Sequence, residues 1–373
     1  MFHQTNIVLI GNSLVEQSKS IAHLNKRVIN IDSFNDDDLI GENYKNSNHF
    51  GLVNDEVLLI LKKLNLNKNE TLIIVSSDYE RDKDYYSLLE SYGRIIGNSQ
   101  KTILKTQDYE NLSKKLKKNN IKFPRKIFPK IENSKNFLIK NKFSSGGFGV
   151  KRYHKKSTID YDKEYCQEFI NGKVCSILFL VNNDREYKII GTNEIFSKET
   201  IFTEFCFSGA INNVALNENQ NNYLNSVIKF FVDEYKLVGI NGIDFIISDE
   251  IYFLEINTRI TQTSFLYENM FKEGYVTAHI ESDINNNIFS LVGDINSHYS
   301  CFENLFSNST ALINYDLKKY SFVSNIPKMN TRIDVGQPIC TISVNSDDEK
   351  KAKKLLSDNI LLIKNKLKNI EII

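Results

Sequence analysis

The sequence predicts a mixed α/β and α+β chain, with a small parallel sheet first and antiparallel hairpins after it. Three observations predict it. Residues 1 to about 100 alternate apolar runs (NIVLI, RVINI, TLIIV) with helical stretches starting near Ser13, Asp55 and Asp84, the pattern of a sheet covered by helices. Val238–Thr263 reads VGINGIDFIISDEIYFLEINTRITQT, where the runs IDFII and IYFLEI flank the turn-like SDE of an antiparallel hairpin. Tyr165–Val181 reads YCQEFINGKVCSILFLV, two apolar strands around Asn171-Gly172, a strong turn signal.

Taken in order, Gly11-Asn12-Ser13 follows the first strand and suits the start of a helix, whose free N–H groups attract anions; a plain cap reads the same way. Asp32, Asp36, Asp37 and Asp38 follow the second strand as a solvated acidic turn, with a grip on an amine substrate as the alternative. Asp78-Tyr79-Glu80 follows the third strand in the same manner. Residues 101–120 read as one helix with a basic outer face, KKLKK. Pro124 and Pro129 bracket the link that follows. In Phe137–Val150, FLIKNKFSSGGFGV, a strand carrying Lys140 enters a loop through Ser144, Ser145, Gly146, Gly147 and Gly149. Such a loop lets backbone approach a ligand and offers N–H groups to phosphate oxygens, with Lys140 placed to reach the same oxygens. It matches neither G-x-x-x-x-G-K-[ST] nor G-x-G-x-x-G, and a glycine-rich hairpin tip without a ligand has the same composition. Gln167, Glu168, Phe169 and Ile170 form an extended segment able to line an adenine ring. In EFCFSGAINNV, Ser208 faces the substrate or Gly209 marks a β-bulge. Strands near Ala311 and Cys340 and a lysine-rich helix from about Asp347 complete the chain.

The hairpin carries the strongest chemical signal. Its apolar runs would bury both faces, yet Asp244, Glu255 and Asn257 sit within them. A buried carboxylate must be paired, hydrogen-bonded or bound to a cation. Glu255 and Asn257 are two apart and share a face, with Asp244 on the partner strand. Three oxygen ligands on two rigid strands suit Mg²⁺. Arg259 lies on the same side if the chain stays extended, and its guanidinium suits a phosphate or carboxylate. A hairpin with a structural Asp–Arg or Glu–Arg pair is the competing reading.

Lys140 with its glycine loop, then Q-E-F-I-x-G, then G-I-D-F and E-I-N-T-R-I, over about 120 residues, resemble the ATP-grasp superfamily. E-I-N-T-R-I looks closest to the biotin carboxylase branch. The flanks TNIVLIGNSLVEQSKSIAHLNKRVINIDSFNDDD, IIVSSDYERD, YGRIIGNSQ and VSNIPKMNTRIDVGQPICTISVNSDDEKKAKKLL extend the likeness from about 6 to about 360. They resemble predicted ATP-dependent carboligases related to biotin carboxylase, found in organisms with tetrahydromethanopterin- or methanofuran-linked one-carbon metabolism. The resemblance implies an ATP-grasp fold behind an N-terminal Rossmann-like domain: 1–100 Rossmann-like, 101–200 small lobe with linker helix, 201–295 large lobe with the metal hairpin, and 296–373 a C-terminal segment packed on it. It implies ATP and Mg²⁺, with Mn²⁺ as the alternative metal. Lys140, Ser144, Ser145, Gly146, Gly147 and Gly149 would lie over the phosphates. Gln167, Glu168, Phe169 and Ile170 would hold adenine, Asp244, Glu255 and Asn257 the metal, and Arg259 the transferring phosphoryl group. The superfamily's Asp-Lys before the nucleotide strands, whose Lys touches ATP, is replaced by Gln107-Asp108-Tyr109, leaving Lys105 nearby as its substitute. The ribose-binding Glu falls near Val174. The carboxylate with which biotin carboxylases activate bicarbonate is missing after Arg259, where Thr261, Gln262 and Thr263 stand. The implied activity is a carboxylate–amine ligase working through an acyl phosphate, with glutamyl or amino-acid ligation in one-carbon cofactor synthesis as the finer expectation. A bicarbonate-using carboxylase and a non-catalytic nucleotide-binding regulator are the rivals.

Composition bounds these readings. With 47 basic and 46 acidic residues, the net charge of +1 gives no pull toward nucleic acid or membrane surfaces. No run approaches the roughly 18 apolar residues of a membrane span, and no leader pattern opens the chain, so a cytoplasmic protein is expected. The five cysteines (Cys166, Cys175, Cys206, Cys301, Cys340) are widely spaced and expected as reduced thiols, and the six histidines make no zinc pattern. The expected partners are small carboxylate and amine substrates, with a homodimer as the one assembly considered.

Overall fold

Strand β1 (Asn6–Gly11) is buried throughout and alternates between two apolar layers: Ile7 and Leu9 enter one core, Val8 and Ile10 another. That period-2 split is what a parallel strand between two helical layers requires. The computed structural model describes residues 2–46, 51–76, 83–127, 136–142, 146–154, 157–286, 288–293 and 298–367. Helix α1 (Val15–Ile21) follows β1, then β2 (Arg27–Asp32), β3 (Glu42–Lys45), α2 (Asn54–Leu64), β4 (Thr71–Val75), α3 (Lys83–Leu89) and β5 (Arg94–Ile95). The five strands form a parallel sheet in the order β3-β2-β1-β4-β5, so the order reverses between β1 and β4. Ligand crevices open at that point, beyond the strand C-termini. This is the Rossmann-like sheet the alternation predicts.

Two helices follow, α4 (Gln100–Gln107) and α5 (Tyr109–Lys118), where one was expected. The break has a local cause: the Asp108 side chain accepts a hydrogen bond from Asn111 N at 3.2 Å and caps α5. Next come β6 (Lys126–Ile127), β7 (Phe137–Asn141), β8 (Val150–Arg152) and β9 (Glu164–Glu168), an antiparallel sheet ordered β6-β9-β7-β8.

The largest sheet contains β10 (Lys173–Val181), β11 (Tyr187–Lys198), β12 (Cys206–Asn212), β13 (Gly239–Ile247), β14 (Ile251–Asn257), β15 (Tyr299–Phe306), β17 (Val323–Ser324) and β19 (Pro338–Ser346). Its order is β14-β13-β10-β11-β12-β15-β19-β17, with every neighbouring pair antiparallel. A separate short pair joins β16 (Ala311–Leu312) to β18 (Arg332–Ile333). Helix α6 (Glu218–Tyr235) packs Phe231 and Val227 on one face of the large sheet, and α7 (Tyr275–Ile284) ties the opposite face to the parallel sheet. Helix α8 (Glu349–Leu367) covers β15 and β19 through Ala352, Leu356 and Ile363.

This sheet revises two expectations. Asn171-Gly172 closes no hairpin: β9 pairs with β6 and β7, whereas β10 pairs with β11 and β13, so the dipeptide is a crossover between sheets. The boundaries expected at 200/201 and 295/296 fall inside one hydrogen-bonded sheet, because β12 pairs with both β11 and β15. The small lobe is the four-stranded sheet from β6 to β9. The register shift at Phe196/Ser197 skips Ser208, which makes that segment the bulge foreseen as one of two readings. All five cysteines are buried and free. No helix among the described residues is long and apolar enough to cross a membrane.

Candidate active site

A cavity of about 610 Å³ opens between the four-stranded sheet and the eight-stranded sheet. Its floor is the β13–β14 hairpin. Asp244 pairs with Glu255 across the two strands and Gly242 pairs with Asn257, so the three expected metal ligands share one face. Asn257 Nδ2 donates to Asp244 Oδ2 at 3.1 Å. Burial and the facing Glu255 push the Asp244 carboxyl well above the usual carboxylate range, against the pull of the Asn257 hydrogen bond and the Arg259 charge. Two acidic groups forced together in a half-enclosed place are what a hard cation relieves. The donor set of two carboxylates and an amide oxygen therefore fits Mg²⁺. It contains no third acid, and no group of three His, Cys, Asp or Glu suited to a metal occurs among the described residues.

The roof is the small sheet. Lys140 on β7 is half-buried, lines the cavity and pairs with Tyr165 of β9. Burial lowers its ammonium pKa, while the charge of Glu255 from the opposite lobe raises it. Lys140 thus lies within electrostatic reach of the metal hairpin, although 115 positions separate it from Glu255. Gly146 and Gly147 line the same space. Gly147 has φ +78°, and a Cβ there would lie 1.8 Å from the Phe205 carbonyl oxygen, so the loop requires glycine at this point. Phe207 N donates to Gly146 O at 2.9 Å and Thr203 Oγ1 to Gly147 O at 2.7 Å, which seats the loop on the large lobe. Gly149 is exposed and packs on Asn141 outside the cavity wall. Ser144 and Ser145 lie outside the described residues, as does Asp78-Tyr79-Glu80.

Gln167, Glu168, Phe169 and Ile170 line the cavity's far end. Gln167 is buried and gives its amide N–H to Pro124 O at 3.1 Å. The Glu168 carboxylate is held by Arg125 Nε at 3.3 Å. The backbone N–H groups of Glu168 and Phe169 already donate to Arg125 O and Asn136 O, so neither serves a base. The Arg152 guanidinium stacks 4.3 Å from the Phe169 ring and stiffens this wall. Val174 lines the cavity where a ribose-binding carboxylate was sought.

Arg259 lines the cavity close enough to Asp244 to depress its pKa, though not by strand register. Strand β14 ends at Asn257, and Thr258 O accepts from Asn98 Nδ2 at 3.0 Å as the chain bends away. Lys105 is exposed on α4 and absent from the cavity wall. A basic group the sequence reading did not single out is Lys126, itself outside the cavity wall, whose ammonium lies 3.9 Å from the Tyr109 ring and 4.7 Å from that of the cavity-lining Tyr165. Its signal was the tyrosine at 109, where a lysine was sought. Ser208 is buried away from the cavity. The wall also includes Asn12, Ser13 and Ser76, from the ends of β1 and β4 where the parallel order reverses. Ser13 caps nothing: its hydroxyl donates to Asn325 Oδ1 at 2.7 Å, and Asp32 Oδ2 takes the Leu14 N–H at 2.8 Å.

Residues 106–263, which hold the small sheet and the metal hairpin, match the ATP-grasp domain family. The chain is 25% identical over 294 residues to an uncharacterised protein of Methanocaldococcus jannaschii, covering 73% of this chain and 69% of that one. Its fold is similar to biotin carboxylase of Campylobacter jejuni in complex with an ATP analogue (TM-score 0.71, 12% identity, 95% of this chain and 90% of that one). It is also similar to L-amino acid ligase of Bacillus licheniformis (TM-score 0.68, 10% identity, 96% and 97%). With two lobes facing one cavity, a lysine and glycine loop above and paired acids below, residues 106–263 of this chain form an ATP-grasp domain.

Proposed function

We propose that the protein is an ATP-dependent carboxylate–amine ligase that forms an amide through an acyl phosphate and releases ADP and phosphate. The observation that carries this reading is the opposition of Lys140 and Glu255 across the cavity, with Asp244, Asn257 and Arg259 at the same wall. A carboxylate is a poor acyl donor because its leaving group would be oxide. Transfer of the γ-phosphoryl group to a carboxylate oxygen breaks the bond to the β-phosphate oxygen and leaves a good leaving group. Attack by an amine then forms the C–N bond as phosphate departs. Catalysis of this kind is mostly positioning and charge neutralisation.

Asp244, Glu255 and Asn257 would hold Mg²⁺, which supplies charge neutralisation at the phosphates. Lys140 meets the phosphate oxygens from the roof. Its depressed pKa reflects a burial cost that a polyanion offsets. Arg259 offers a planar fork to the transferring group and the carboxylate. The Gly146–Gly147 backbone, seated on Phe207 and Thr203, covers the site and excludes water. Phe169 and Ile170 give the apolar flank for the base.

The L-amino acid ligase of similar fold supports the amide-forming reading, and the segment after Arg259 counts against bicarbonate chemistry. That segment holds no carboxylate, and its Gln262 is engaged with Asn304 by two reciprocal amide hydrogen bonds of 3.1 Å. Glutamyl or amino-acid transfer in one-carbon cofactor synthesis is the finer proposal and rests on the sequence resemblance. Soluble small-molecule substrates in the cytoplasm belong to the same proposal. The test is phosphate release by the purified protein with paired acids and amines, with products identified by mass. ADP and an amide are expected, and Arg259→Lys should lower turnover roughly a hundredfold while weakening ATP binding less. AMP as the main nucleotide product would overturn the mechanism.

A further inference from the structure

A second, smaller chamber of about 200 Å³ adjoins the main cavity, and Asn12, Ser13, Gly146, Phe207, Gln262 and Asn325 line both. Its wall joins the parallel sheet to the C-terminal strands. Most of its polar groups satisfy one another. Besides the Gln262–Asn304 pair, Thr341 Oγ1 donates to Asn304 Oδ1 at 2.7 Å, and Asn325 Nδ2 to Thr341 Oγ1 at 2.8 Å. Asp36 is different. It lines the chamber at 7% exposure, and its carboxylate makes no hydrogen bond or ion pair with any described residue.

The three neighbouring aspartates are all committed. Asp32 accepts from the N–H groups of Leu14, Phe34 and Asn35. Asp37 pairs with Lys318 at 2.6 Å. Asp38 accepts from Asn325 N at 3.1 Å, Ile326 N at 2.8 Å and Lys19. They hold the turn in place, so the cluster is a built corner rather than the solvated turn its composition suggested. Lys19 and Lys328 act on Asp36 only at a distance, and Asp32 and Asp38 add negative charge. An unpaired buried carboxylate is costly, and a cation in hydrogen-bond reach removes that cost. The remaining wall is apolar except for Thr331, with Phe34, Phe148, Phe306 and Pro327.

We infer that this side chamber receives the amine substrate and that Asp36 pairs with an ammonium group on it, the rest of the molecule lying against the aromatic wall. The inference names the acceptor of the ligase proposed above and rests on that reading. The chamber's size selects a small molecule, and its opening into the main cavity gives the acceptor a path to the phosphorylated carboxylate.

The test is binding of small amines to the full chain without nucleotide, using butylamine, benzylamine and phenethylamine against the corresponding alcohols. Amines should bind roughly tenfold or more tightly than their alcohols, the effect of one charge-assisted contact. Asp36→Asn, checked for folding by circular dichroism, should erase that preference and leave alcohol binding unchanged. Equal binding of amines and alcohols by the wild-type chain, absence of amine binding, or undiminished preference in a folded Asp36→Asn protein would each overturn the inference. The wild-type comparison stands even if the variant misfolds. Asp36-dependent amine binding in a protein that forms ADP with no acid–amine pair would sink the ligase reading and leave the ammonium site in place.

Discussion

Asp244→Asn should make the nucleotide-free protein more stable and the enzyme nearly inactive. Asp244 faces Glu255 in register on adjacent strands. Like charges so placed cost up to about 1 kcal/mol, and the burial of Asp244 adds to this. The variant removes the charge but keeps an amide oxygen to accept from Asn257 Nδ2, which now donates to Asp244 at 3.1 Å. A gain of about 1–2 kcal/mol is expected, offset in part by the lost attraction to Arg259. For a chain of this size that is a rise of about 1–3 °C in melting temperature. The sign depends on pH. The folded-state pKa of Asp244 is raised, so the folded chain binds its proton more tightly and wild-type stability falls as pH rises above the ordinary carboxylate value. The variant's advantage should grow as pH rises above the ordinary carboxylate value and vanish near pH 3, where Asp244 is protonated in both states. Turnover should fall roughly a hundredfold or more, because one charge leaves the metal's shell. The assays are thermal melting in a chelator, repeated across pH, and phosphate release against added Mg²⁺. A folded variant that melts below wild type at pH 7.5, or turns over at the wild-type rate, would refute the reasoning.

Three further outcomes can be checked. Lys140→Ala should weaken ATP binding roughly tenfold or more with less than about 1 kcal/mol change in stability, since burial already disfavours its ammonium; unchanged affinity in a nucleotide titration would remove it from the phosphate site. Gly147→Ala, where the new Cβ would meet the Phe205 carbonyl, should lift the loop and lower ATP affinity several-fold; wild-type affinity would show that the loop does not cover the nucleotide. Asp32 has its pKa raised to about 6 by burial, so wild-type stability should drop by about 3 kcal/mol as pH climbs from about 4 to 6. Asp32→Asn should flatten that part of the melting-temperature profile, whatever uniform loss follows from the weakened bond to Leu14 N; an unchanged slope would contradict the burial argument.

The sequence by itself determined what depends on neighbours along the chain. Apolar runs alternating with helical stretches placed β1, β2 and β4, because a strand between two layers must fill both. The SDE turn placed β13 beside β14, and the two-residue spacing of Glu255 and Asn257 put them on one face with Asp244 opposite. Gly146, Gly147 and Gly149 all take positive φ, a conformation their missing side chains permit. Contacts between distant segments were not legible, because local turn chemistry does not say which sheet a strand will join. Asn171-Gly172 looked like a hairpin and is a crossover. Arg259 reaches the cavity after its strand has ended, so strand register could not place it. Lys105 seemed near the nucleotide in sequence but faces solvent, while Lys126 reaches Tyr165 only through the folded small lobe. The four aspartates after β2 were equivalent as a string. Only tertiary structure set Asp36 apart, by giving the other three partners at and before α1, in the C-terminal segment 318–326 and in their own turn, and leaving the fourth carboxylate against a cavity.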